Sequence, residues 1–123
     1  MRKILFVIIA VILIASVYLA TGGVRVRVKN VGSGTISKLQ VQVTGETYEL
    51  GDLDPGESKS VLVKAKGESG AGLAYAGRAD HVFTIKPIGY FEPGSYRGEI
   101  YFEIDGSADK PIHQESKITL GLW

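Results

Sequence analysis

Val24-Arg25-Val26-Arg27-Val28-Lys29 alternates apolar and cationic side chains without a break, and the same period of two returns along the rest of the chain. Successive side chains of a strand point to opposite faces, so the pattern predicts strands with one buried and one wet face. Residues 38–43 set Leu39, Val41 and Val43 against Lys38, Gln40 and Gln42, and residues 60–66 set Val61, Val63 and Ala65 against Leu62, Lys64 and Lys66. Residues 81–86 set Phe83 and Ile85 against Val82, Thr84 and Lys86. The longest run, 96–105, places Tyr96, Gly98, Ile100, Phe102 and Ile104 on one face and Arg97, Glu99, Tyr101, Glu103 and Asp105 on the other. Residues 117–123 turn Ile118, Leu120 and Leu122 inward, and a short strand is predicted at 46–50. This half-buried pattern is the mark of antiparallel sheets.

The breaks carry turn chemistry. Asp54-Pro55-Gly56-Glu57 and Glu92-Pro93-Gly94-Ser95 use one device twice: Pro presets the first central dihedral, and Gly accepts the positive dihedral that follows. Asn30-Val31-Gly32-Ser33-Gly34 and Asp105-Gly106-Ser107 close two other strands. About seven short strands spaced this way predict one two-sheet sandwich over residues 24–123. The run 67–77, with four Gly and three Ala, has little to bury. It is expected to be an inter-strand loop, with 71–77 as an edge strand at most. As a loop it would display Tyr75 to a partner. The polar stretch 106–115 is expected to be a second exposed loop.

Residues 1–23 are of another kind. Arg2 and Lys3 precede 17 uncharged residues, 4–20, in which only Ser16 and Tyr18 carry polar side-chain atoms. As a helix the run is roughly 25 Å long, just under a hydrocarbon core and longer than an ordinary signal-peptide core. The expectation is a transmembrane signal anchor with Arg2 and Lys3 in the cytoplasm and the sandwich outside it, periplasmic or at the cell surface. The alternative is a signal peptide cut at Ala20-Thr21-Gly22, releasing a secreted carbohydrate- or ligand-binding module near Gly22. Arg25, Arg27 and Lys29 belong to a strand by their alternation, and so are discounted as topology signals.

Composition excludes several function classes. With no Cys there is no disulfide scaffold, thiol nucleophile or Cys-ligated zinc. Setting aside Arg2 and Lys3, the 14 basic residues fall to 12 against 13 acidic ones, which argues against nucleic acid as a partner. Residues 51–58 have the glycine spacing of a phosphate loop, but Glu57 stands where its Lys belongs. Glu49, Asp52, Asp54 and Glu57 lack the alternating ligands and distal Glu of a calcium loop. Ser69 has no helix after it and no second Gly at Ala71, so it makes no nucleophile elbow. His81 and His113 fit no catalytic or zinc spacing. The expectation is a protein that is not an enzyme, with no metal and no cofactor. Tyr75, Tyr90, Phe91, Tyr101 and Trp123 are candidates for exposure, and Tyr75, Tyr101 and Trp123 are the candidate partner-binding residues. For Tyr101 the plainer expectation is cross-strand packing against an aliphatic stem.

Residues 28–43, VKNVGSGTISKLQVQV, followed by 53–63, LDPGESKSVLV, resemble the opening half of CARDB-like domains and related bacterial immunoglobulin-like modules. Asn30, Gly32, Leu53, Pro55, Gly56 and Glu57 carry the likeness. FEPGSYRGEIYF, 91–102, is similar to the late Pro-Gly-x-Tyr turn and strand of such sandwiches. The resemblance implies a fold and no catalytic residue. The fold class expected is therefore all-β: an immunoglobulin-like antiparallel sandwich of about seven strands preceded by one N-terminal transmembrane helix. The function expected is a membrane-anchored, extracytoplasmic interaction or structural module of the cell envelope, with the membrane and another envelope protein as partners.

Overall fold

The structure, a computed structural model, describes residues 2–20, 23–77, 80–94, 96–108 and 110–120. One helix, α1 (Arg2–Ala20), precedes eight strands: β1 (Gly23–Asn30), β2 (Ile36–Val43), β3 (Glu46–Leu53), β4 (Ser58–Val63), β5 (Ser69–Ala76), β6 (Val82–Phe91), β7 (Tyr96–Ile104) and β8 (His113–Leu120). They form two four-stranded sheets, β4-β1-β7-β8 and β3-β2-β5-β6. The all-β sandwich expected from the alternation is what forms.

The core is one cluster fed by both sheets. Val24, Val26 and Val28 of β1, Leu39 and Val41 of β2, Leu73 and Tyr75 of β5, and Ile100, Phe102 and Ile104 of β7 are all essentially solvent-free. Burying an aliphatic or aromatic side chain of this size contributes about 1.5–3 kcal/mol. The faces of β1 and β7 are as the period of two predicts. In β2 the period slips: Lys38 takes φ 53° at a bulge, so Ile36 and Leu39, three apart, both point inward.

Four expectations need correction. There are eight strands rather than about seven, because residues 67–77 are not a loop. They hold β5, an interior strand between β2 and β6. Its glycines meet backbone, not solvent: a Cβ on Gly70 would lie 2.7 Å from the Ile88 carbonyl, and one on Gly72 as close to that of Ile85. Small residues there let β6 come close. Second, the sandwich is not wholly antiparallel. β1 pairs parallel with β7, Val26 opposite Ile100 and Val28 opposite Phe102. Alternation reports which face is buried, not which way a neighbour runs. Third, the short strand at 46–50 extends to Leu53, and the strand begun near 82 runs to Phe91 through Pro87. Fourth, β8 already starts at His113, so the polar loop is shorter than 106–115.

α1 is 19 residues. Its described side chains, residues 3–13, are all exposed, Ile9 at 45% and Phe6 at 72% among them. That stretch rises about 16 Å, and among the described residues no helix is long and apolar enough to cross a membrane.

Candidate interaction surface

The outward face of the first sheet is a lattice of charge built by strand register. Arg25 lies between Leu62 and Glu99, and Glu99 is opposite Lys117. Arg27 lies between Ser60 and Tyr101, and Tyr101 is opposite Glu115. Lys29 lies between Ser58 and Glu103, and Glu103 is opposite His113. The cations of β1, which the alternation sends outward, therefore meet the acids that the same alternation sends outward on β7.

Arg27 is the hinge of this face. Its Nε sits 3.4 Å from Glu99 Oε1, and its guanidinium lies 4.6 Å from the Tyr101 ring centre. An exposed contact of the second kind contributes about 0.5–1 kcal/mol, and the ion pair, with both partners near half exposure, adds about 1 kcal/mol at most. The Tyr101 hydroxyl donates to Glu103 Oε1 at 3.1 Å. Desolvation, and then that bond, raise its pKa, and the Arg27 charge works against the rise. His113 Nε2 and Glu115 Oε1 are 3.0 Å apart on β8. Arg27, Glu99, Tyr101, Glu103, His113, Glu115 and Lys117 frame a shallow depression of about 410 Å³.

The candidate residues separate. Tyr101 is outward and half-buried, packed cross-strand under the Arg27 head group. Tyr75 is not displayed: it is 1% exposed, packs 5.5 Å from the Phe83 ring, and donates its hydroxyl to the Ala108 carbonyl at 2.9 Å. It is a core residue and not a displayed one, because residues 69–76 are an interior strand. Phe91 is buried as well, at 2%. Tyr90, its neighbour, is exposed, stands edge-on to Tyr96 and donates to Glu92 Oε1 at 2.7 Å; that bond raises its pKa. Trp123 lies outside the described residues.

The histidines are apart in role. His81 precedes β6 and stacks edge-on against Phe83, while His113 opens β8. The acids near the 54–57 turn serve the turn: Asp54 Oδ1 accepts from the Thr35 hydroxyl at 3.2 Å, and Glu57 Oε1 from the Asp54 N–H at 3.3 Å. Among the described residues no group of three or more His, Cys, Asp or Glu is placed to hold a metal ion.

The sheet edges are a feature that side-chain alternation cannot rank. An edge strand presents unpaired N–H and C=O groups, and proteins blunt such edges with bulges, Pro, short strands, charged side chains or side-chain covers. β3 carries a bulged register against β2 and a left-handed Gly51. Lys59 of β4 reaches across to the β3 carbonyls of Leu50 at 3.3 Å and Asp52 at 2.6 Å. The Lys64 N–H, just after β4, donates to the Tyr48 hydroxyl of β3 at 3.0 Å. β6 contains Pro87 and a left-handed Gly89, with two register shifts against β5. Among the described residues β8 has no bulge, Pro or side-chain cover, and the charges of Glu115 and Lys117 are its one protection. It is eight residues, without Pro, Gly or positive φ, in unbroken register with β7. Its side chains from His113 to Lys117 are exposed on both faces.

No family model matches the chain, and no curated protein matches it. The resemblance to CARDB-like modules thus rests on the turn and core residues alone. Among solved structures the chain is similar to the NMR structure of a protein from Eubacterium rectale. The TM-score is 0.50 at 14% identity, over 80% of this chain and 87% of that one. A likeness at that identity bears on the fold alone.

Proposed function

We propose that this chain is a membrane-anchored interaction module of the cell envelope, held at the bilayer by α1 and working outside the cytoplasm without covalent chemistry. The observation that carries the reading is β8, an eight-residue edge that among the described residues has no bulge, Pro or side-chain cover, only charge, where the other three edges are interrupted or covered. Strand addition there supplies main-chain hydrogen bonds to a partner, with alternate side chains selecting it. The anchoring half rests on 17 uncharged residues, 4–20, behind Arg2 and Lys3, and on the exposed apolar side chains of α1. Confinement to a surface then raises the effective concentration for a partner in the same membrane.

A photo-crosslinking residue placed at Ser116 in cells tests the interaction. A protein adduct at 116, absent from a control at Gln40 on the other sheet, is the expected result; no adduct at 116 contradicts it. The second reading, a secreted ligand-binding module, draws on the small-x-small triplet Ala20-Thr21-Gly22. Membrane fractionation and the mature N-terminus decide between them: the anchored protein keeps residues 4–20, and the released one starts near Gly22.

A further inference from the structure

We infer that the strand added to β8 is β8 of a second copy of this chain, antiparallel about a two-fold axis at Ser116. The inference rests on the proposed interaction reading and names its partner. In antiparallel pairing, residues directly opposite share a face, and opposite charges there stabilise while like charges destabilise. The outward side chains of β8 are His113, Glu115, Lys117 and Thr119.

Few registers exist. Centred on Ser116, Glu115 of each copy faces Lys117 of the other, His113 faces Thr119, and residues 113–119 of both strands take part. Centred on Glu115, two carboxylates face each other and His113 faces Lys117. Centred on Lys117, two ammonium groups face each other. Centring on Gln114 pairs His113 with Glu115 but leaves only residues 113–115 of each strand in the ladder. One register therefore combines length with charge complementarity, and it is self-complementary, as a two-fold interface requires. It joins two four-stranded sheets into one of eight strands. The pairing puts the two Gly23 residues at opposite ends of the joined strands. Copies anchored in one bilayer accordingly pair with their strands running along its surface.

The test is the mass of the full chain in detergent micelles, by analytical ultracentrifugation across a concentration series. The wild type is expected to dimerise. E115K and K117E, which place like charges opposite each other, are each expected to weaken the dimer about 10-fold or more. The double variant E115K/K117E restores the complementary pairs and the dimer. Circular dichroism checks that each variant keeps its strands. With Ser116→Cys, the one thiol in a chain that has no Cys, an oxidised dimer is expected across the axis. A monomeric wild type, or a double variant as weak as the singles, overturns the inference. If the wild type is monomeric and the Ser116 photo-adduct contains a different protein, the second copy is excluded and the interaction reading stands. If the adduct contains nothing, both fall.

Discussion

The Asn30 side chain and the Leu53 main chain are joined by a hydrogen bond of 2.9 Å, Nδ2 to carbonyl, inside a residue that is wholly buried. The same amide donates to the Gly34 carbonyl at 2.8 Å, and its Oδ1 accepts from the Gly32 N–H at 3.0 Å. The Asn30 main chain bonds Gly56 and Glu57. One side chain thus ties the end of β1, the 31–35 loop and the β3–β4 turn together. This is a physical reason for Asn-x-Gly and Leu-x-Pro-Gly-Glu to occur in one chain: the second motif supplies partners to the first.

Asn30→Ala should cost about 2–3 kcal/mol in urea unfolding, because it strands buried main-chain groups that lose their partners. Asn30→Asp should cost at least as much, since a carboxylate would face two carbonyls. Far-UV circular dichroism should remain that of a β protein in both. A change under about 0.5 kcal/mol would contradict the arrangement.

Gly77 sits so close to Gly106 that a Cβ would run into the Gly106 carbonyl, whereas one on Gly34 meets nothing within 4 Å. Gly77→Ala is expected to destabilise by about 1–3 kcal/mol, and Gly34→Ala by no more than about 0.5 kcal/mol. Thermal or urea unfolding of the two variants side by side checks the pair.

Tyr75→Phe keeps the buried ring and removes the bond to Ala108, an expected loss of about 0.5–1.5 kcal/mol. Tyr75→Ala empties the ring site as well and should cost about 3–5 kcal/mol. Unfolding curves that place both variants at wild-type stability would mean that Tyr75 faces solvent.

Asp105 accepts from the Ser107 N–H at 3.0 Å and its hydroxyl at 2.9 Å, and these bonds, the backbone one first, hold its pKa below the ordinary 3.8. A group with a depressed folded pKa contributes stability that is present above the unfolded value and lost as pH falls through the folded one. The wild type should therefore lose stability more steeply than Asp105→Asn below pH 3.8. Urea unfolding at successive pH values reads the difference; equal slopes would contradict the hydrogen bonds.

β1 and β7 were legible residue by residue, because Val and Ile alternating with charge leave one way to bury a face. Asn30 was legible as a turn residue but not as a hub, since its partners lie 4 and 23 residues away. β5 was hidden for a specific reason: Gly70 and Gly72 yield space to the β6 backbone, and a strand that packs by closeness looks like a flexible loop in hydropathy. Tyr75 shares that ambiguity, since its burial follows from the strand that carries it. Tyr101 was placed on the correct face because its neighbours Glu99 and Glu103 are charged, whereas its contact with Arg27 depends on the parallel β1–β7 register, which periodicity does not encode. The open edge at β8 is visible only once every strand's neighbours are known.

Amide hydrogen exchange of the full chain in detergent micelles tests the two-sheet account most directly at residues 70–75. The account predicts protection there as strong as that of Val26 and Val28, because β5 is hydrogen-bonded on both sides. Exchange of those amides as fast as that of the exposed 33–35 loop would contradict it, and with it the placement of β5 between β2 and β6.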